Sequence, residues 1–313
     1  MPKFDVVRST EIDASANEVF SKLNDLSQWT VWSPWLIMEE GVSVTVSDNK
    51  KHHSWEGKRV GSGEMHISAE EKNQSIDLDL TFLKPWKSKS KVRFELEEKG
   101  GKTEVKWYMQ GNLPFFMFWM KKMMITFISM DYDRGLRLLK DFVEDGEVHS
   151  KLNFIGNETS AEIHYIGIKR LCHFDDMGQR MREDMPALFA YVKDNELEAR
   201  GPAFTQYLKW NFNARQVLYI SGIPVKETPS GDLGEFISGI IPQTQVYTLE
   251  HVGPYPHLGN AWSTLYSMQR GNELNVNKKI HPFETYRNSP TEVGENDLIT
   301  RIHFPVNGYA LSK

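Results

Sequence analysis

The residue with the most chemical potential in this chain is Glu284, set between Phe283 and Tyr286 and followed by Asn288 and Pro290. A carboxylate inside an aromatic wall loses its hydration, and it persists there only if a cation, hydrogen-bond donors or a proton compensates. Such a group can recognise a cationic guest or, with its pKa raised, act as a general base. Strand alternation offers a second reading, with Phe283 in the core and Glu284 in solvent, and the residues alone favour it. Three aromatic residues belong to the same question. Tyr255 follows Gly253-Pro254 at the end of a predicted strand, and Trp262 comes seven residues later on a predicted helix. Both can stack on a flat or cationic guest. Trp262 can equally serve only to pack its helix against a sheet. Tyr207 occupies a segment, Phe204-Thr205-Gln206-Tyr207, that matches Phe283-Glu284-Thr285-Tyr286, so it can face Tyr286 across a cleft. Thr205 then stands where the other copy has Glu284, and only one copy contributes a carboxylate.

Other chemistries find little support. His52 and His53 precede Glu56, but neighbours on a strand point to opposite faces and cannot readily chelate together. The remaining histidines show no HExxH spacing, so no metal is expected. Cys172, the single cysteine, excludes an intramolecular disulfide framework and any cysteine-rich zinc site, and it reads as a small buried hydrophobe rather than a nucleophile. Gly61-Ser62-Gly63 and Gly100-Gly101 are turn glycines away from any strand-to-helix junction, so neither cradles a phosphate, and no cofactor is expected.

The chain has 313 residues, and at about 150 residues per domain that suggests two domains, each able to bury its own core. The 37 Lys and Arg against 42 Asp and Glu leave a net charge of −5. Neither half of the chain is basic. A direct nucleic-acid partner is therefore not expected. The start, MPKFDVVRSTEID, has no apolar signal core, which points to the cytoplasm. Leu113 to Met130 is the one apolar run of interest, and Lys121 and Lys122 interrupt it where a spanning helix tolerates charge poorly. It reads as a loop at Pro114 leading into a helix, without stable membrane insertion, with contact at a membrane surface as the alternative.

The elements that must position these residues follow from periodicity. Phe4 to Ile12 alternates as a strand, and Ser15 with Glu18 forms a capping box that opens a helix through Leu23. Asp25 to Trp32 predicts a second short helix, ending at Ser33-Pro34. Val42 to Gly111 holds about six short alternating strands, the clearest hairpin turning at Gly100-Gly101. A long helix follows, through Met130, Leu136, Leu139, Phe142 and Val143, to about Gly146. Residues 147–159 show little periodicity and serve as the predicted linker. Nine tryptophans are present and seven fall in the first 120 residues, so the first domain is where rings most need a partner. Trp29, Trp32 and Trp35 are spaced as core residues; Trp55, Trp86, Trp107 and Phe82 are left open between core and cavity wall.

Beyond the linker the chain repeats itself. Residues 163–224 run strand, helix (Met177–Lys193), strand, strand, and residues 245–306 do the same with a helix at His257–Gln269. The segment GIPV at 222–225 matches HFPV at 303–306. Two such copies should pack as pseudo-symmetric halves with a small-molecule cleft between them.

With these residues in view, the first half resembles the START-like, polyketide-cyclase-like helix-grip superfamily, through IDAS and EVF near the start, NDLSQWTVWSPW (24–35), GSGEM (61–65), TEVKWYMQG (103–111) and RGLRLLKDFVE (134–144). That resemblance implies a curved antiparallel sheet around a long helix, enclosing a cavity for an apolar ligand. The second half resembles the gyrase-inhibitor-like effector-binding domain, through HVGPY (251–255), HLGNAW (257–262), PFETYRNSP (282–290) and LITRIHFPV (298–306). At the GPY position the first copy has LCHFDD (171–176), so the pattern is degenerate there. The resemblance implies a cleft for lipophilic, often cationic molecules with a buried glutamate near its centre, and that role falls on Glu284.

The expected protein is therefore α+β, with a helix-grip domain at 1–147 and a pseudo-duplicated effector-binding domain at 160–313. Its expected role is sensing or sequestering a lipophilic small molecule, cationic or neutral, through Glu284, Tyr255, Trp262, Tyr286 and Tyr207. No helix-turn-helix segment is evident beside either domain. The alternative is a hydrolase of reactive electrophiles, with Glu284 as the catalytic base and Tyr255 or Tyr286 donating a hydrogen bond.

Overall fold

The computed structural model describes residues 3–84, 87–112 and 119–308. Two compact units divide at Ser150 and Lys151. The fold is α+β in both.

In the first unit, β1 (Lys3–Ile12) leads into α1 (Ala16–Leu23) and the short α2 (Trp29–Trp32). Six strands follow: β2 (Ser43–Val46), β3 (His52–Glu56), β4 (Ser62–Glu71), β5 (Ser75–Lys84), β6 (Ser88–Lys99) and β7 (Lys102–Asn112), and α3 (Lys121–Glu144) closes the unit. The sheet is antiparallel in the order β1-β7-β6-β5-β4-β3-β2. The capping box at α1 forms: Glu18 N–H donates to Ser15 Oγ at 3.3 Å, and Ser15 N–H donates to the Glu18 carboxylate at 2.9 Å. Gly100 and Gly101 take φ of 61° and 83°, the conformation a tight turn needs, with Lys99 opposite Lys102. The expected helix over 25–32 shortens to its last four residues. Asp25 accepts from the Ser27 N–H at 3.0 Å and turns the chain first.

The tryptophans converge between sheet and α3. Trp107 on β7 stacks on Tyr132 of α3 with ring centroids 3.8 Å apart, and Trp29, Trp32 and Phe94 surround it at 5.6, 5.8 and 5.0 Å. Rings thus fill the middle of the unit, and Trp107 is core. Trp55 and Phe82 are only half-buried and meet edge to face at 6.1 Å. Trp86 lies outside the described residues.

Gly135 is what lets α3 sit so close: a Cβ there would lie 2.7 Å from the Trp107 ring and 3.0 Å from Pro34. Gly135→Ala is expected to destabilise the unit by about 1 kcal/mol or more, because crowding outweighs the better helix propensity of alanine. Denaturant unfolding checks this; an unchanged or raised midpoint would show that α3 moves aside at no cost.

The second unit begins with β8 (Lys151–Ser160), inside the stretch expected to be a linker. Ile155 bulges out of register beside Gly156, whose φ is 95°, and this extra residue breaks the two-residue period that marks a strand. The two predicted copies follow. The first is β9 (Ile163–His173), α4 (Met177–Asp194), β10 (Phe204–Asn211) and β11 (Gln216–Pro224). After β12 (Ile237–Ile241), the second is β13 (Thr244–Val252), α5 (Gly259–Arg270), β14 (Phe283–Tyr286) and β15 (Ile299–Pro305). The antiparallel sheet runs β12-β9-β11-β10-β14-β15-β13-β8. Its order reads the same from either edge once the copies are exchanged. The pseudo-symmetry axis passes between β10 and β14, where Thr205 pairs with Glu284.

Candidate functional site

Both faces of β14 are covered, which settles the position of Glu284. Phe283 points into an apolar cluster with Phe204, Tyr165, Ile220 and Val246. Glu284 points to the opposite face, where α4 and α5 pack, and it is 1% exposed. The alternation that would send it to solvent fails because side chains from β10, β14 and α5 cover it on that side.

Three neutral donors surround its carboxylate. Oε1 accepts from the Tyr207 hydroxyl at 3.0 Å and from the Tyr286 hydroxyl at 2.7 Å, and Oε2 accepts from the Trp262 indole N–H at 2.8 Å. The Tyr286 proton is committed to Glu284, so the Thr205 hydroxyl, 2.8 Å away, donates to the Tyr286 oxygen. The two pseudo-symmetric tyrosines therefore grip one carboxylate from β10 and β14. Trp262 reaches it from α5, with its ring 4.8 Å from Tyr207 and 5.6 Å from Phe304. Trp210 stacks on Tyr207 at 5.1 Å. Tyr255, just after β13, does not bond to Glu284 in this structure; its ring meets Tyr286 edge to face at 5.6 Å.

The electrostatics follow from this shell. Burial raises the pKa of Glu284 above the ordinary carboxylate value, and the hydrogen bonds from Tyr286, Trp262 and Tyr207 oppose the rise. Burial and the neighbouring Glu284 hold Tyr207 and Tyr286 well above the usual phenol range, and they raise Tyr255 as well. The phenols thus remain donors, and Glu284 is the group of the shell that changes charge. Its three donors bring no formal positive charge. The site is an oriented, desolvated carboxylate among π-faces, suited to a cation or to accepting a proton.

A second buried carboxylate is not among the residues that motif and repeat single out. Asp184 of α4 is fully buried; Arg170 Nε donates to it at 2.7 Å, the Tyr219 hydroxyl at 3.0 Å and the Ser221 hydroxyl at 3.3 Å. Its signal was available, since Asp184, Leu188 and Val192 form the buried stripe of α4 at four-residue spacing. Tyr219 belongs to the same cluster as Tyr207, with Trp262, Trp210 and Met181 packed against it. On the far side of β14, His303 lies between the Thr248 and Thr285 hydroxyls at 2.9 and 3.0 Å, and burial lowers its pKa to about 4.

The remaining candidates stay apart from this shell. His52 turns to Glu64 at 3.3 Å, while His53 is buried on the other face of β3. Among the described residues no group of three or more His, Cys, Asp or Glu is placed to hold a metal. Burial raises the thiol of Cys172, which lies half-buried at the edge of the Tyr207 cluster. No described helix is long and apolar enough to cross a membrane.

Comparison with known proteins matches these units to two families. Residues 3–144 fit the family described as polyketide cyclase / dehydrase and lipid transport, and residues 158–307 fit the GyrI-like small molecule binding domain. No curated protein matches the chain significantly. Among solved structures, the EcmrR C-terminal domain is similar at 19% identity, covering 50% of this chain and 98% of that one, with a TM-score of 0.43. SAV2435 bound to tetraphenylphosphonium is similar at 14% identity, covering 49% and 93%, with a TM-score of 0.37. CalU16 from Micromonospora echinospora is similar at 16% identity, covering 44% and 73%, with a TM-score of 0.33. The assignment rests on the two family matches: the chain is a fusion of a polyketide cyclase / dehydrase and lipid transport domain with a GyrI-like small molecule binding domain.

Proposed function

We propose that the second unit binds a lipophilic organic cation at Glu284, and that the chain serves to sense or sequester that molecule. The observation that carries this reading is a carboxylate 1% exposed whose three donors, Tyr207, Tyr286 and Trp262, are all neutral. A hydrated metal ion or a lysine side chain would find few oxygens here. A delocalised cation with aryl or alkyl groups loses little hydration on entering, meets one charge, and is faced by Trp262, Tyr207, Tyr286 and Tyr255.

The test uses two probes of the same size and opposite charge. Tetraphenylphosphonium should raise the unfolding temperature of the full chain, and tetraphenylborate should not. Equal stabilisation by both would reduce the site to an apolar pocket. The response should also depend on pH in a defined direction. Glu284 must be ionised to attract the cation, and its pKa lies above the ordinary carboxylate value of 4.5. Affinity is therefore expected to climb as pH rises through that raised pKa, and to be weak at pH 4.5 and below. The same shift acts on the empty protein in the opposite sense. Protonated Glu284 favours the fold below the ordinary value, and that contribution is lost as pH rises through the folded value. Calorimetric titration from pH 4.5 to 8 reads the first, and thermal unfolding of the empty protein over the same range reads the second.

A second reading rests on the same raised pKa: hydrolysis of a reactive electrophile, with Glu284 taking a proton from water. Tyr286 already spends its proton on Glu284, which leaves Tyr255 as the donor to the substrate. Turnover of an electrophile panel, with a loss of about a hundredfold or more in Glu284→Ala, would favour this reading.

A further inference from the structure

We propose that the first unit docks on anionic phospholipid bilayers through the end of the unit where α3 begins. The backbone brings three segments to that end. In the sheet, Phe82 pairs with Ser88 beside the β5–β6 turn, Ser90 pairs with Gly111, and Asn112 pairs with Lys3 at the start of β1. Helix α3 runs alongside β1 in the same direction: Asp133 meets Arg8, and Lys140 donates to the Glu11 carbonyl at 2.8 Å. Its first turn therefore lies at the Lys3 end, level with the β5–β6 turn.

The side chains collected there are of two kinds. Trp119 is 69% exposed and Leu83 is 43% exposed. Around them stand Lys3, Lys84, Lys87, Lys89, Lys121 and Lys122, all exposed. The acidic groups nearest in register are Glu56, which already pairs with Lys84 at 2.8 Å, and Glu64, which lies one strand beyond Thr81 from Lys89 and turns to His52 at 3.3 Å. Asp5 and Asp79 follow two residues further along, with Asp79 paired to Lys91. Acidic residues on α3 start only at Asp131 and continue to Glu144, so charge is polarised along the helix. Lys121 and Lys122 also occupy the first turn, where the helix dipole disfavours cations, and no side chain caps that turn. Helix stability does not explain them. An exposed indole at the same end of the unit as six exposed lysines does fit a bilayer surface, with the ring at headgroup depth and the ammonium groups on anionic phosphates. The match is to charge as well as to apolarity.

The test is co-sedimentation of the full chain with vesicles of phosphatidylcholine alone or with about a third phosphatidylglycerol, at low and high salt. Binding is expected only on the anionic vesicles and should weaken with salt. Lys121→Glu with Lys122→Glu should reduce partition by about tenfold or more, and Trp119→Ala by several-fold. These positions are exposed, so thermal unfolding of the variants and their response to tetraphenylphosphonium should match the parent, which separates this proposal from that for Glu284. No partition on anionic vesicles at low salt would overturn it and leave the patch to an acidic protein. Equal binding to neutral vesicles, or full binding by the double lysine variant, would overturn it too.

Discussion

Glu284→Gln is expected to abolish most of the stabilisation by tetraphenylphosphonium at neutral pH, with a loss of affinity of about thirtyfold or more. The estimate follows from removing one member of a desolvated charge pair, which costs about 2–5 kcal/mol. Aromatic contacts from Trp262, Tyr207 and Tyr286 survive the substitution, so a weak residue of binding should remain, and it should no longer depend on pH. The variant should fold. Glutamine keeps one oxygen for Tyr207 and Tyr286, which share Oε1 in the parent, and only the Trp262 N–H loses a matching acceptor. Removing a buried charge that lacks a cationic partner offsets that loss. Calorimetric titration at pH 7 decides the matter. An affinity equal to that of the parent would remove Glu284 from recognition altogether.

Asp184→Ala is expected to be the most damaging single change in the second unit, lowering its stability by about 3 kcal/mol. The carboxylate joins Arg170 on β9 with Tyr219 and Ser221 on β11, and both hydroxyl-bearing side chains are fully buried. Truncation strands those two groups without water to replace the lost partner. Arg170 suffers less, because its side chain is 36% exposed and solvent can take over. In a unit of this size the loss corresponds to a fall of about 10 °C in unfolding temperature. Asp184→Asn retains an oxygen for the hydroxyls and should cost clearly less. Tyr219 belongs to the cluster that backs Tyr207, so Asp184→Ala should also weaken tetraphenylphosphonium binding, although Asp184 does not touch the Glu284 carboxylate. Unchanged stability would mean that Tyr219 and Ser221 find new partners.

Much of the fold is legible along the chain because its signals are local. Ser15 and Glu18 are three residues apart and cap α1 through contacts made within that span. Gly100-Gly101 turns a hairpin whose strands lie on either side of it. The duplication shows in FTQY against FETY and in GIPV against HFPV, since each copy must satisfy the same strand pairing. Where local signals conflict, the reading fails. The bulge at Ile155 hides β8, and Asp25 turns the chain before α2 can begin.

The site is legible only in its membership. Glu284, Tyr207, Tyr286 and Trp262 can be named from types and repeat, yet no periodicity tells whether β14 has one covered face or two. That depends on helices that precede β14 in the chain, α4 and α5, and on the register that sets Thr205 opposite Glu284. For Asp184 the stripe of α4 shows along the chain, but its partners on β9 and β11 meet it only after the sheet has formed. Charge behaves likewise. A net −5 with no basic half excludes an extended basic domain, but lysines from β1, the β5–β6 turn and the first turn of α3 gather at one end through strand register. Composition and spacing by themselves determine the two domains, the duplicated half and the order of their elements apart from β8 and β12. Tertiary structure alone decides which charges are buried, because desolvation is a property of everything packed around a group and not of its neighbours in the chain.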